Sequence, residues 1–441
     1  MNNLGHQKGR RAFLKLAGGS AAGAALSPMY RTFGQVPHAE RSVSAIDAGA
    51  VADGKTLNTE KLQAAIDHLA AQQGGTLVIP TGTFLSGALF FKPGVHLRLE
   101  SGGVLKGSTD IRDYPKRRTR IEGHFQEWLP ALINADGCDH LRIEGQGTLD
   151  GNGAPFWREF WTRLRANHKT TNLDVPRPRL AFIENSRDVR ISGVTFKDSG
   201  FWNLHLYRCQ QTLVENVRFE VPDGVRCPST DGTDIDSCQH VTIRGCTYRV
   251  DDDCVCLKGS KGPFAMQDHD SPPVEHIRIE SNTYERGGGV ATLGSEATIV
   301  RDVVVENCRV LGRVPVVHLK LRPDTPQLYE DIHYRNIALE GEKDGMQGEI
   351  FEVRPWMQYF DLKGQPPPKS TVRNVRVEGI RGSFGSFGVI RGNPGQTTLS
   401  GFQLEDINVQ LKNPKLDVAS DIDVTVKNVI VNNKPFVLSR G

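Results

Sequence analysis

Apolar and polar positions alternate with a period of two along most of this chain. LRLESG at Leu97, LRIEGQ at Leu141, VRISGV at Val189, TLVENV at Thr212 and VTIRGC at Val241 each read as a short strand ending in a small or polar residue at the fifth place. The series continues with IRIESN at Ile277, VVVENC at Val303, IHYRNI at Ile332, VRVEGI at Val375, FQLEDI at Phe402 and VTVKNV at Val424. The intervals run mostly from 22 to 36 residues, with three longer ones that leave room for a loop or an unmarked coil. A unit this short cannot bury its own apolar face, so the physical solution is to stack the units. Leucine-rich repeats share the period, but the leucine ladder is missing and β-branched residues dominate. The pattern predicts an all-β protein, a right-handed parallel β-helix whose coils stack about 4.8 Å apart.

One segment has a different period. NTEKLQAAIDHLAAQQ, from Asn58 to Gln73, places Leu62, Ile66, Leu69 and Ala70 at helical spacing. Asn58 is placed to cap this helix, Leu57 and Leu62 to staple it, and Gly74-Gly75 to stop it. A short N-terminal helix capping the stack is therefore expected.

Composition agrees with a turn-rich β protein: 46 glycines and 24 prolines accompany only 7% aromatic residues. The N-terminus carries Arg10-Arg11, then Phe13-Leu14-Lys15, then a small-residue run from Leu16 to Leu26, the order of a twin-arginine export signal. That run is too short and glycine-rich for a membrane span of about 20 apolar residues, and no later segment qualifies. The expected organisation is a signal and linker over 1–38, an N-terminal cap and first coils over 39–95, and a catalytic β-helix over 96–441. The expected location is the periplasm or the exterior.

The signal changes the reading of charge. The formal charge is +3, yet removing the five basic residues before Glu40 leaves 49 basic against 51 acidic residues. A generic polyanion binder of the nucleic-acid kind is thereby unsupported, and any anionic ligand must be held by a local cluster. The eight cysteines show no zinc spacing. Those at coil positions, such as Cys246 and Cys308, take the slot that Val or Ile fills elsewhere, which predicts buried thiols in place of bridges.

The candidate chemistry lies in STDGTDIDS and VDDDCVCLKGS. Asp231 precedes Asp252 by 21 residues, about one short coil, so Asp231, Asp252 and Asp253 are expected on one surface. An isolated run of three aspartates reads as a hydrated or calcium-binding turn. The one-coil offset, with Val255 and Leu257 following, instead places this run on a strand of the stack. Clustered carboxyls on adjacent coils suit glycosidic hydrolysis, in which one protonated group serves as acid and one ionised group activates water. Their mutual repulsion helps keep a proton on the cluster.

These motifs resemble the polygalacturonases and their relatives, family 28 of the glycoside hydrolases. IDAGAVADGKTLNT, GGTLVIPTGTFLSG, GTLDGNG and FWNLHLYRC are similar to the N-terminal half of that family. Its Asn-Thr-Asp motif falls on Ser229-Thr230-Asp231 and its Asp-Asp-Cys motif on Asp252-Asp253-Cys254, leaving Asp251 as the extra carboxylate. The resemblance implies that Asp252 is the general acid, that Asp231 and Asp253 hold and activate water, that configuration inverts, and that no metal or other cofactor is used. Two motifs depart from it. Gly288 or Gly289 stands at the family's histidine, and His318-Leu319-Lys320 stands where the family has Arg-Ile-Lys.

Lys320 can still supply a point charge to a uronate, and Arg322, two residues on, could face the same side by alternation. Lys258, with Lys261, Glu296 and Trp356, reads equally as cleft lining or as ordinary loop. Trp202 and His205 read as packing. The implied partner is a pectic polysaccharide or oligosaccharide, with a monomer expected. Insertions at Arg112–Leu132, Trp157–Pro176 and Gly341–Lys369 could wall off one end of the cleft. The rival readings are a polysaccharide lyase or epimerase on the same architecture and a non-catalytic carbohydrate-binding β-helix.

Overall fold

The computed structural model describes residues 41–341 and 348–438. The twin-arginine segment lies outside the described residues. Almost every strand belongs to one 32-stranded sheet in which strands pair in parallel with the equivalent strand of the next coil, except that Lys434–Pro435 turns back antiparallel onto Val424–Val431. Ile133–Asp136, Ala181–Glu184, Leu204–Tyr207, Thr233–Asp236, Val255–Lys258, Ala291–Leu293, Val317–Leu321 and Glu349–Pro355 stack in that order to form one face. This is a parallel β-helix.

The register explains why β-branched residues recur. Ile143, Ile191, Val214, Ile243, Ile279, Val305, Tyr334 and Val377 are directly paired from coil to coil, and all are buried. A second column is aromatic: Phe219 stacks on Tyr248 at 4.9 Å and Tyr248 on Tyr284 at 5.4 Å, nearly coplanar. The fifth-place residue of the repeat also acquires a reason. Gly193, Asn216, Gly245, Ser281, Asn307, Asn336, Gly379, Asp406 and Asn428 all turn the corner with φ between 51° and 74°. That left-handed region favours glycine and the short polar side chains, so the corner selects them.

Helix α1 (Thr59–Ala71) buries Leu62, Ala65, Ile66 and Leu69 against the first coils. Asn58 occupies the cap position, but its side chain is used elsewhere. It accepts from the Val51 amide at 2.8 Å and donates to the carbonyls of Val51 and Thr56. Leu57 stays exposed, so no staple closes over Leu62. A tertiary tie to the preceding turn has replaced the local cap.

The predicted insertions take up separate structures. Arg117–Ile121 and His124–Trp128 form an antiparallel hairpin, and helix α2 spans Ala154–Ala166. Both lie outside the stack's own ladder, as does the segment that follows Glu349–Pro355. All eight cysteines are free and buried, in agreement with their place in the repeat.

The core ladder generates a prediction. Ile243→Ala, in the middle of the stack, should cost about 2–5 kcal/mol. The check is a lower denaturation midpoint in guanidinium with the circular-dichroism spectrum at zero denaturant unchanged.

Candidate active site

Thr233 pairs with Val255 on neighbouring strands, which places Asp231 over Asp253. The Gly232 amide donates to the Asp253 carbonyl at 2.8 Å, extending the ladder one residue past the strands. Asp252 then falls one position earlier and remains half-buried, while Asp231 and Asp253 are almost fully enclosed. The third aspartate has a different task. Asp251 forms an ion pair with Arg286 Nε at 3.0 Å and accepts from the Cys227 amide at 2.7 Å, bracing the loop that leads to Asp231.

Asp231, Asp252, Asp253, Ser229, Lys258 and Lys320 all line one cavity of about 380 Å³. Each insertion contributes to its wall: Glu122 from the hairpin, Phe160 and Trp161 from α2, and Trp356 and Tyr359 from the third. The Tyr359 hydroxyl reaches the Thr170 carbonyl at 3.5 Å, joining two of these walls. The size is that of an ordinary small-ligand pocket, about 300–1,000 Å³.

Two lysines organise the floor. Lys320 Nζ lies 2.6 Å from Asp253 Oδ2, and the Thr292 hydroxyl donates to Oδ1 at 2.9 Å. Burial alone would raise the Asp253 pKa, but the Lys320 ammonium overrides it and holds the carboxyl down at about 2. Asp252 moves the other way. Burial first, and then the adjacent Asp253 charge, push it above the ordinary carboxylate range. Two neighbouring carboxyls are thus driven apart, one ready to hold a proton and one ready to accept one.

Lys258 Nζ sits 3.4 Å from each of Asp231, Asp234 and Glu296, and 4.5 Å above the Trp202 ring. Burial opposes its charge, and the surrounding anionic groups more than offset that cost. Asp231 is raised by burial and then by Asp252, and its Oδ1 has no hydrogen-bond partner. Asp234, fully buried three residues on, is raised by burial to about 7.

His318, Gly288 and Arg322 stand outside the cavity lining. His318 lies behind Asp253, with Nδ1 3.2 Å from the Thr292 hydroxyl and 3.7 Å from Asp253 Oδ1, and burial lowers it to about 3, so it is neutral. Gly288 donates its amide to the Asp252 carbonyl, and a β-carbon there would stand 2.8 Å from Asp253 Oδ1. The site is packed too closely at Gly288 to admit a side chain without a shift. Arg322 forks onto Asp324 at 2.8 Å through both Nε and Nη2 and reaches the Gln358 and Tyr359 carbonyls. It anchors the wall that carries Trp356 and Tyr359.

Several residues of the site have no mark in the repeat. Trp202 lines the cavity beneath Lys258, although its strand position reads as packing. Asp234 could have been found by alternation, since it and Asp236 point to the same side of one strand. Arg177 is also buried here, donating to the Pro228 carbonyl and Ser229 hydroxyl. Among the described residues, Asp231, Asp253 and Cys256 bring metal-capable atoms within 4.8 Å of one another. Ammonium groups already engage the first two.

The model of glycosyl hydrolases family 28 matches residues 72–433. This chain belongs to glycosyl hydrolase family 28. Family 28 membership makes it a glycoside hydrolase, and the curated relatives agree in kind. A probable polygalacturonase of Vitis vinifera is 27% identical over 68% of this chain, the match spanning 61% of the grape protein. An exopolygalacturonase of Zea mays is 26% identical over 82% of each chain. In structure, the hyperthermoactive exopolygalacturonase of Thermotoga maritima superposes with a TM-score of 0.72, covering 90% of this chain and 93% of its own at 23% identity, which supports the fold.

Lys320 supplies the test of this family 28 site. Lys320→Ala removes the cation that depresses Asp253, so the Asp253 pKa rises. Were Asp253 to serve as a general base, activity would be lost as pH falls through its pKa, since a base works only when deprotonated. The acid limb of the pH–rate profile should therefore move to higher pH in the variant, measured as kcat/KM from pH 3 to 8.

Proposed function

We propose that the protein hydrolyses galacturonosyl bonds of a pectic polysaccharide or oligosaccharide with inversion, Asp252 acting as general acid and Asp253 as general base. The observation that carries this reading is the opposite displacement of the two adjacent carboxyls under Lys320. The half-buried Asp252 protonates the departing glycosidic oxygen. Asp253, held ionised, takes the proton of the water that attacks the opposite face of the anomeric carbon. Asp231, stacked over Asp253 with a free Oδ1, orients that water. One bond to the leaving oxygen breaks as one to water forms, and the proton given by Asp252 is restored from the one taken by Asp253 through solvent.

Ser229, Lys258 and Lys320 border the sugar, while Gly288, His318 and Arg322 act from behind, shaping Asp253 and the third wall. The walling of the cavity by three insertions, two of them bridged by Tyr359 and Thr170, supports attack at a chain end over attack in mid-chain. Residues 1–38 would direct export, with 39–95 capping the catalytic coils of 96–441. Among the described residues no helix is long and apolar enough to cross a membrane.

A product assay on polygalacturonate, rhamnogalacturonan and their oligomers tests the reading. New reducing ends without ultraviolet-absorbing product are expected, with monomer or dimer as the early product. Asp252→Asn should lower kcat by at least about 10²-fold. Unsaturated products, or an Asp252→Asn protein as active as the wild type, would overturn the assignment.

A further inference from the structure

Every cation on the floor of this cavity is already neutralised. Lys320 is bound to Asp253, and Lys258 is shared among three carboxylates. Of the cations just behind the lining, Arg322 is forked onto Asp324, and Arg177 is buried against the Pro228 carbonyl and the Ser229 hydroxyl. Lys261, near the hairpin wall, pairs with Glu122 at 3.0 Å. Against these, Asp231, Asp251, Asp252, Asp253, Glu122 and Glu296 give the lining an excess of carboxyl groups. A uronate entering such a cavity brings one more negative charge, and it needs a cation that is not committed elsewhere.

Arg226 meets that need. It is exposed at the cavity wall, and among the described residues it forms an ion pair with no carboxylate. Its position is nonetheless fixed. The guanidinium lies 4.6 Å from the centre of the Trp161 ring, and the Trp161 indole N–H donates to the Arg226 carbonyl at 2.8 Å. The guanidinium is thereby held against the ring while its donors, paired with no carboxylate among the described residues, stay available for two-pronged binding of a carboxylate. Arg226 also borders a second, more open hollow with Arg286 and Asp251, so it stands where a chain would pass out of the catalytic cavity.

We propose that Arg226, held by Trp161, binds a uronate carboxylate of the substrate, supplying a positive charge that the floor lysines already divide with the catalytic carboxyls. The inference rests on the pectic-hydrolase reading above for the identity of the sugar. It assigns recognition of the acid to the loop after Val221 and to helix α2, two segments outside the repeat ladder.

The test compares a galacturonate trimer with its fully methyl-esterified counterpart, measured by calorimetric binding and separately by hydrolysis, in wild type, Arg226→Gln and Arg226→Lys. The wild type should bind the free acid at least about tenfold more tightly than the ester. Arg226→Gln should erase that preference, raise KM for the acid roughly 10- to 100-fold and leave binding of the ester unchanged; Arg226→Lys should restore only part of it. A preference for the free acid that survives in Arg226→Gln would overturn the proposal, as would a wild type that binds acid and ester alike or binds neither. Absence of hydrolysis by the wild type, with acid-selective binding that depends on Arg226, would overturn the pectic-hydrolase reading and leave the carboxylate site standing.

Discussion

The register between coils is the constraint on which the rest of the molecule depends. Parallel backbone hydrogen bonding fixes which residue of one coil lies on which residue of the next, and a slip of one position would turn every side chain to the opposite face. Held in register, the inward column can be Ile on Val on Ile. The outward column is subject to the same rule, and here it stacks charge: Arg244 on Glu215, and Arg335 on Glu306. Ion pairs between coils are thus a product of the ladder, and the site is a place where that product has been concentrated and roofed over.

Roofing is what gives the charges their chemical use. In water, neighbouring carboxyls would be screened and would titrate much alike. Under the hairpin, α2 and the third insertion, burial raises all of them, and the lysines then select which are lowered again. Lys320 selects Asp253 by direct contact, whereas Lys258, shared among three partners, lowers Glu296 and leaves Asp231 and Asp234 raised. The difference between two adjacent aspartates therefore comes from one ammonium group two coils away in the stack, not from their own sequence.

This also accounts for what could be read from the sequence. The strands, the capping helix, the corner residues and the shared surface of Asp231, Asp252 and Asp253 follow from periodicity, because each depends on local alternation and a repeated offset. The thiols at coil positions are legible for the same reason. Asn58 illustrates the opposite case: its local cap signal is overridden by a turn that folds back from Val51. Trp161, Arg226 and Tyr359 escaped notice because inserted segments bring them to the cavity, and no period relates an insertion to the coil it covers; Trp202, by its place beside a repeat strand, reads as packing. Arg322 is intermediate. Alternation puts it on the side of Lys320, but the strand ends at Leu321 and the chain turns the side chain into Asp324.

The separation between floor and walls has an evolutionary meaning. The groups proposed to move protons are set by the ladder and can change only at the expense of the stack, while those that meet the rest of the sugar ride on segments inserted between coils. A hairpin, a helix or an extended loop can lengthen, shorten or be exchanged without shifting a single coil against its neighbour. Such a scaffold can move from one polysaccharide to another, or from chain interior to chain end, by changes that natural selection can try one insertion at a time.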